Sequence, residues 1–345
     1  MSETLQLEES AVQEEYFERG WTDGLPIVPP TPERVQAFLA AARLDPDEVL
    51  GAVAARSRSI SAQETAINAV MAGCRPEYFP IVVAGVRALA DPAYNANGAL
   101  TSTGGTAICT IVSGPLAAQV GMNSAHNVLG QGNRANATIG RALRLVAQNV
   151  LGAKPGALDG ASIGNPGKYS LCFAEAEPIS PWGPLRVELG FAPQDTTVTI
   201  LATEGPRQIA NVLTGDPEAV LRIAASSLRA AHTYIAGKGG QAVVLLGPEH
   251  AGAVRDAGWT RAQAREYLVQ QTRVTAEELA AGGQPLESTG AHTMVAEADG
   301  RYSTFRDPDD ILLVCAGGAG AGWSAVIPAW APKNNSLSVT RRVEV

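Results

Sequence analysis

Cys74 is the first side chain whose position is suited to chemistry. It lies between a helix stop at Gly73 and a helix start at Pro76, with the guanidinium of Arg75 beside it. The positive end of a helix dipole and a neighbouring cation both favour a thiolate, because they lower the pKa of a cysteine. A lone cysteine is more often a small buried side chain, here at a corner between two helices. The pattern therefore predicts either a nucleophilic thiolate or a core position.

A second group of reactive side chains lies in residues 164–182, which are rich in Gly, Pro and aromatic residues. Glu175 and Glu177 would lie on one face if this backbone is extended. Two such carboxylates can divide acid and base work, or they can share a divalent cation. Lys168 would supply a further proton or charge. A solvated acidic strand face explains the pair equally well.

A third group surrounds the start of a predicted helix. Gly132, Asn133 and Arg134 precede or begin it, and Asn136 and Arg141 follow. Free backbone N–H groups, the helix dipole and an arginine together favour an anion, so we expect a substrate carboxylate or phosphate to bind here. Ordinary Gly-mediated loop geometry is the alternative. The spacing matches neither the P-loop nor the dinucleotide fingerprint, so no specific cofactor is predicted.

Two further loops follow predicted strands. In residues 315–324 the amides around Gly318 and Gly320 could form a nest for an oxyanion. Glu249 and His250 follow another strand, where ligands bind in α/β proteins. A lone histidine is more often structural. Both loops are therefore secondary candidates for the site.

The elements that would position these residues are easy to recognise. Ser61 and Glu64 have capping-box spacing, which predicts a helix over 61–72. A helix is also predicted over 134–151, where apolar residues share one face. After residue 193, apolar runs typical of strands alternate with amphipathic helices. This alternation predicts an α/β fold with mixed sheets, flanking helices and two subdomains. We place the domain boundary near residue 194, between a helix-rich region (1–194) and an α/β region (195–345), and find no internal repeat.

Composition excludes several classes of protein. The chain has 345 residues, 46% of them hydrophobic, and a net charge of -8. This surplus of acidic residues argues against a nucleic-acid or anionic-membrane partner. No apolar run is long enough for a membrane span, and the acidic start is no secretory signal. The four cysteines form no C-x-x-C pair, which disfavours structural zinc and a disulfide framework. We therefore expect a soluble cytoplasmic protein with reduced thiols.

Four motifs together resemble a largely uncharacterised family of bacterial proteins. The motifs are GWTDGLPIVPPT, NAVMAGCRPEYFPIVVA, GNRANATIGRALRL and GNPGKYSLCFAEAEPISPW. Members of that family occur beside, or fused to, a domain with a Cys/Sec-Gly-Ser-Cys motif that resembles the Asp/Glu racemase group. The family pattern contains the residues at Cys74, Cys172, Glu175 and Glu177. The Gly-Ser-Cys motif is absent here, which implies that any chemistry it carries lies on a Cys/Sec-bearing partner.

Our leading hypothesis is an enzyme, or enzyme subunit, acting on a small acidic or carbonyl metabolite as a lyase or hydrolase. Cys74 would be the thiolate, Glu175 and Glu177 the acid–base pair, and Arg134 the substrate anchor, with Lys168 or His250 assisting. A non-catalytic partner of a Cys/Sec-dependent enzyme is the first alternative. A hydrolase or lyase with a divalent metal on the glutamate pair is the second. A helix-rich, partly apolar surface would make the protein a homo-oligomer.

Overall fold

The computed structural model describes residues 8, 11–230, 234–284, 286, 294 and 296–344. Helices and strands alternate along them, which confirms the predicted mixed α/β class. The helices are α1 (Val12–Glu18), α2 (Pro32–Ala42), α3 (Ala62–Ala72), α4 (Phe79–Leu89), α5 (Ala96–Thr101), α6 (Pro115–Gln119), α7 (Arg134–Asn149), α8 (Leu185–Glu188), α9 (Pro217–Ala230), α10 (Pro248–Asp256), α11 (Arg261–Gln271) and α12 (Ala276–Ala281). The strands are β1 (Val49–Val53), β2 (Arg58–Ser61), β3 (Ala107–Ser113), β4 (Leu171–Ala174), β5 (Thr197–Thr203), β6 (Arg207–Ala210), β7 (Ala242–Leu246), β8 (Ile311–Cys315), β9 (Trp323–Pro328) and β10 (Val339–Arg342).

Two four-stranded sheets form the centre of the molecule, and they share one topology. The first has the order β10-β5-β3-β4, and the second has the order β6-β9-β7-β8. In each sheet a central strand and its neighbouring edge strand, β3 with β4 or β7 with β8, are parallel and are joined through helices. The remaining strand pairs are antiparallel. The chain therefore contains a structural repeat that is not visible in its sequence.

The two halves of this repeat exchange their outermost strands. Strand β6 follows β5 along the chain but pairs with β9 of the second sheet. Strand β10 follows β9 but pairs with β5 of the first sheet. Each sheet is therefore completed by a strand from the other half of the chain. The boundary predicted near residue 194 falls just before β5, a strand of the first sheet, and the division there stays a prediction.

The sheets pack face to face, with helices on their outer faces. Cys109 and Ile111 of β3 share a buried apolar cluster with Val243 and Leu245 of β7. The alternate residues of β3 belong to an apolar cluster with residues of α3, α4 and α7, and those of β7 belong to another with residues of α9 and α11. Strands covered on both faces have continuous apolar sequences rather than alternating ones. The order of layers is therefore helix, sheet, sheet, helix.

The helix boundaries follow the predicted signals with a few exceptions. Ser61 and Glu64 form the predicted capping box of α3. The helix predicted from Pro76 begins with a 3₁₀ turn, and α4 starts at Phe79. Of the amphipathic helices predicted after residue 193, α9 ends at Ala230, and residues 231–233 lie outside the described residues. In the described part of the chain, no helix combines the length and apolar character needed to cross a membrane.

Helix α7 lies unusually close to β4, and this contact can be tested at Gly140. A Cβ atom at Gly140 would lie 2.3 Å from Oγ of Ser170 and 2.9 Å from Cβ of Cys172. Alanine normally stabilises a helix interior by about 1 kcal/mol relative to glycine. We expect Gly140→Ala instead to lower the free energy of unfolding by about 1–3 kcal/mol, because of overpacking. Urea denaturation of the full chain measures the difference.

Gly252 in α10 is the matched control. The atom nearest to a Cβ added at Gly252 would be the terminal Nη2 of Arg255, at 3.4 Å, and that side chain is free to move aside. Gly252→Ala should therefore raise the free energy of unfolding by up to about 1 kcal/mol. Equal stabilisation by both substitutions would contradict the close approach of α7 to the sheet.

Candidate functional site

The carboxyl ends of the parallel strands from both sheets meet at one edge of the molecule. The backbone N–H of Ala176, just after β4, donates to the carbonyl of Cys315 at the end of β8 (2.7 Å). Nearby, the N–H of Gly317 donates to the carbonyl of Ser124 (2.9 Å). Ligands of α/β proteins bind beyond the carboxyl ends of strands. This edge is therefore the candidate position of a binding site.

Glu175 is the first residue after β4, and it is 7% exposed. The hydroxyl of Ser113, the last residue of β3, donates to its carboxyl group. The backbone N–H of Leu185, the first residue of α8, lies 3.0 Å from both carboxyl oxygens. Because β3 and β4 are adjacent and parallel, they end side by side. The sheet itself therefore places the serine hydroxyl against the carboxyl group.

Glu177 lies in a 3₁₀ turn close by and forms an ion pair with Arg186 of α8. The buried guanidinium of Arg186 also donates to the hydroxyl of Ser113 (3.2 Å) and to the carbonyl of Pro193 (2.7 Å). We call Ser113, Glu175, Glu177 and Arg186 the carboxyl-end cluster. The structure thus brings both predicted glutamates into one network, through two residues that the sequence analysis did not identify.

The two glutamates of the carboxyl-end cluster have different surroundings. Burial raises the pKa of Glu175, hydrogen bonds from Ser113 and Leu185 partly oppose this, and the charge of Glu177 adds to it. Glu177 has a guanidinium partner, and 28% of its side chain is exposed. Two neighbouring carboxyl groups whose environments differ in this way are suited to separate acid and base roles.

His250 lies in α10, just after β7, and it is buried. Its Nε2 lies 3.1 Å from the carbonyl of Asn211, which only accepts, so Nε2 carries the hydrogen. Its Nδ1 therefore accepts from the hydroxyl of Ser324 at 2.6 Å. That hydroxyl oxygen in turn accepts from the N–H of Gly247 (3.0 Å). Every polar atom of this group has a partner, as in a structural histidine.

The Gly-rich loop at residues 316–322 already holds a carboxylate of its own chain. The N–H of Gly320 donates to Glu249 (2.7 Å). Partial burial acts to raise the pKa of Glu249, but hydrogen bonds from Gly320, Gly322 and its own amide lower it below the ordinary value. At Gly318, a Cβ atom would lie 2.1 Å from Nδ1 of His126, so the exposed His126 packs on the loop there. The amides of this loop therefore favour an anionic oxygen.

Lys168 lies at the other end of β4, away from the carboxyl-end cluster. Its ammonium pairs with the buried Asp159 at 2.7 Å, and Arg144 pairs with the same carboxylate. Burial acts to raise the pKa of Asp159, but the hydrogen bond from Lys168 and the charge of Arg144 lower it overall. The structure therefore does not bring Lys168 together with Glu175.

The polar residues at the start of α7 join loops of the chain to one another. Asn133 caps the helix by accepting from the N–H of Asn136 (2.9 Å). The buried amide of Asn136 accepts from the N–H of Asn123 (2.9 Å) and donates to its carbonyl (2.8 Å). Gly132 precedes the cap with a φ of +113°. These contacts hold Asn123 against the start of α7, and the N–H of Ala174 in β4 donates to the carbonyl of Asn123 (3.4 Å).

Two arginines of α7 bind backbone and carboxylate groups of the N-terminal region. Arg134 donates to the carbonyl of Gly73, beyond the end of α3 (2.9 Å). Arg141 makes a two-pronged ion pair with Asp23, at 2.8 and 2.7 Å. With its guanidinium used in this way, Arg141 is an internal anchor in this structure rather than a free cation for a substrate.

Cys74 lies in the apolar core with 6% exposure. Burial raises its pKa to about 12, although a hydrogen bond with Thr138 and the charges of Arg134 and Arg141 act in the opposite direction. Burial likewise raises the pKa values of Cys109 and Cys315 to about 12 and that of Cys172 further. A thiol with such a pKa is protonated at neutral pH, so these surroundings favour the core interpretation of Cys74 over the thiolate.

A divalent metal on the glutamate pair has limited support from the geometry. The carboxylate of Glu177 is already neutralised by Arg186. Across the part of the chain that the structure describes, no group of three or more His, Cys, Asp and Glu side chains is arranged to hold a metal ion. Metal dependence stays a prediction.

Comparison with known proteins leaves the site to be interpreted from its own geometry. The chain matches no model of a known protein family, and a search of curated proteins found no significant match. The resemblance to the bacterial family described above therefore stays an expectation.

The buried state of the thiols gives a direct test. We expect none of the four cysteines to react with iodoacetamide in the native protein at neutral pH, because each is buried and protonated. In concentrated guanidinium chloride all four should react. Mass spectrometry of the peptides identifies the labelled residues. Fast labelling of Cys74 in the native protein, with slow labelling of Cys109 as its internal control, would restore the thiolate interpretation.

The raised pKa of Glu175 should make stability depend on pH with a defined sign. Between the pKa of the unfolded chain and that of the folded protein, the folded protein keeps a proton that the unfolded chain has lost. This contribution to stability is present at low pH and is lost as the pH rises through the folded pKa. The Glu175→Gln variant has no carboxyl group at this position, so it does not lose this contribution as the pH rises. The free energy of unfolding of the variant, relative to the unmodified chain, should therefore rise from about pH 3 to about pH 7.

Urea denaturation at both pH values measures this change, and Glu278 provides a control of opposite sign. The backbone N–H of Thr275 lowers the pKa of Glu278, so its contribution to stability is present above the unfolded pKa and is lost on acidification. The relative free energy of unfolding of Glu278→Gln should fall as the pH rises. If the free energy of unfolding of Glu175→Gln, relative to the unmodified chain, stayed constant or fell over this pH range, the pKa of the Glu175 carboxyl group would not be raised.

Proposed function

We propose that this chain is an enzyme, or a subunit of one, that acts on a small acidic or carbonyl compound by carboxylate acid–base catalysis. The reaction would be of the lyase or hydrolase type. One observation carries the proposal: Glu175 is a buried carboxyl group with a raised pKa at the edge where the strand ends of both sheets meet. Perturbed carboxyl groups at such positions are candidates for general acids.

In this proposal the residues of the carboxyl-end cluster have different roles. Glu175 donates a proton from its carboxyl group to an oxygen of the reacting compound, because its raised pKa keeps it protonated to a higher pH than an ordinary glutamate. Glu177, which is partly exposed, accepts a proton. Arg186 is a positioning residue, since it contacts both Glu177 and the hydroxyl of Ser113.

The Gly-rich loop supports an acidic or carbonyl substrate. Amides of Gly320 and Gly322 stabilise the carboxylate of Glu249, so the loop suits an anionic oxygen, and a substrate oxygen would bind there in place of that carboxylate. His126 is exposed beside Gly318 and adds a proton-transferring side chain at the same edge. The proposal keeps the glutamate acid–base pair of our leading hypothesis and leaves out the thiolate, because burial keeps Cys74 protonated.

The proposal can be tested by following proton exchange. The full chain is incubated in D₂O with a panel of small 2-oxo, 2-hydroxy and dicarboxylic acids, and proton NMR detects deuterium incorporation, elimination or hydrolysis. We expect at least one compound to react. Glu175→Gln should lower its rate about a hundredfold or more, since general acid–base catalysis contributes about 10²–10⁴-fold.

Glu204 provides the matched control for that experiment. It is another glutamate whose pKa is raised by burial, but it follows β5 at the opposite edge of the first sheet. Glu204→Gln should therefore leave the rate unchanged. If Glu175→Gln kept a rate within about a factor of two of the unmodified chain, the acid–base role would be wrong.

A further inference from the structure

A cavity of about 380 Å³ lies at the opposite edge of the second sheet. Its lining segments precede β7, precede β8 and follow β9, so the length of a five-residue strand, about 16 Å, separates it from the carboxyl-end edge. Its volume suits a small organic molecule. The residues that line it include Lys238, Gly239, Arg306, Asp307, Lys333 and Leu337.

Lys238 is a largely buried residue whose ammonium group lies beside the cavity. It is 6% exposed. Its Nζ lies 4.3 Å from the centroid of the Tyr234 ring. Among the described residues, no oxygen atom accepts a hydrogen bond from this ammonium group. Its charge therefore has the face of the Tyr234 ring as a partner, but no carboxylate or other oxygen acceptor. An anion in the cavity would supply the missing partner.

Arg306 provides a second cation at the same place. Its guanidinium donates to the carbonyl of Lys238 (3.2 Å), and within the described ranges it forms no ion pair with a carboxylate. Gly239 makes this position possible, because a Cβ atom there would lie 2.6 Å from Nε of Arg306. Gly239 also has a φ of +77°, which disfavours other residues. The backbone is therefore shaped so that this guanidinium lies beside Lys238.

Lys333, in contrast, is fully paired. Its ammonium lies 3.1 Å from Asp307 and 2.5 Å from Asp310. Three cations and one carboxylate, that of Asp307, thus line the cavity, which gives its lining a net positive charge. Among the described residues, Lys238 and Arg306 are the lining cations without a carboxylate partner.

We propose that this cavity binds a small organic anion, a carboxylate or a phosphate monoester, through Lys238 and Arg306. An arginine offers paired donors that fit either group, and a lysine adds a point charge. Leu337 contacts the apolar part of the ligand. The site is separate from the carboxyl-end cluster and does not depend on the function proposed for it. Burial lowers the pKa of Lys238, and a bound anion would oppose that shift.

Thermal unfolding and lysine NMR test the proposal on the full chain. Succinate and glycerol 3-phosphate are each titrated against sodium chloride at equal ionic strength. We expect one or both to raise the unfolding midpoint saturably, because they bind the folded state alone. The chain has four lysines, so the signal of Lys238 in selectively labelled protein can be assigned by its loss in Lys238→Met. This signal should move with the same titration. A response to one probe alone identifies which of the two groups is preferred.

The variants separate a binding role from a structural one. Lys238→Met and Arg306→Met should each weaken binding about tenfold or more, since hydrogen bonds to charged groups are lost. Arg58→Met, at an exposed position of β2, should not change it. Without ligand, Lys238→Met should unfold at or above the midpoint of the unmodified chain. Lys333→Met should unfold below it, because it leaves the buried Asp310 without this partner.

Two results would overturn the proposal. The first is that neither probe shifts the midpoint or the Lys238 signal beyond the effect of sodium chloride. The second is that Arg306→Met, whose exposed side chain is not needed for folding, binds as tightly as the unmodified chain. If Lys238→Met without ligand lost as much stability as Lys333→Met, the ammonium of Lys238 would be structural, and this too would reject the site.

Discussion

The apolar layer between the two sheets is the contact on which the rest of the structure depends. Side chains of β3 and β7 meet there, and the other faces of these strands are covered by helices. Strands covered on both sides have little freedom to shift, because a change of register would move every side chain to the other face. The carboxyl ends of both parallel pairs are therefore fixed at one edge. The position of Glu175 beside Ser113 is a direct result.

Residues 175–193 connect this edge to the second half of the molecule. The indole Nε1 of Trp182 donates to the carbonyl of Trp259 (2.9 Å), and Glu188 pairs with Arg261 and Arg265. A long segment rich in Gly and Pro loses much conformational entropy when it is ordered. These contacts offset that loss, and they also hold Arg186 against the glutamates. The carboxyl-end cluster is thus supported from both sheets.

Much of the local structure could be predicted, because its signals lie close together in the sequence. The capping box at Ser61 and the apolar runs of β3, β7 and β8 are complete within a few residues. Strand β4 was missed, since its four residues lie in a segment of Gly and Pro that resembles a loop. The pairing of β5 with β10 joins distant residues, and no local pattern indicates it.

The candidate site was likewise predictable only where its signals are local in the sequence. Glu175 and Glu177 were identified because two acidic residues lie in an unusual segment. Arg186 and Ser113 were not, because their role depends on the adjacency of strand ends. For Cys74 the sequence shows its neighbours along the chain but not its burial, and burial decides its protonation.

The exchange of outer strands affects the order in which the sheets can be completed during translation. The cross-strand partners Thr199 and Thr340 are 141 residues apart. At about 5–20 residues per second, a ribosome needs about 7–28 s to synthesise that interval. During this time the outer edge of β5 has no partner strand, and an unpaired edge can associate with other chains. Nascent chains of this protein are therefore expected to need shielding, by the ribosome surface or by chaperones, until β10 has emerged.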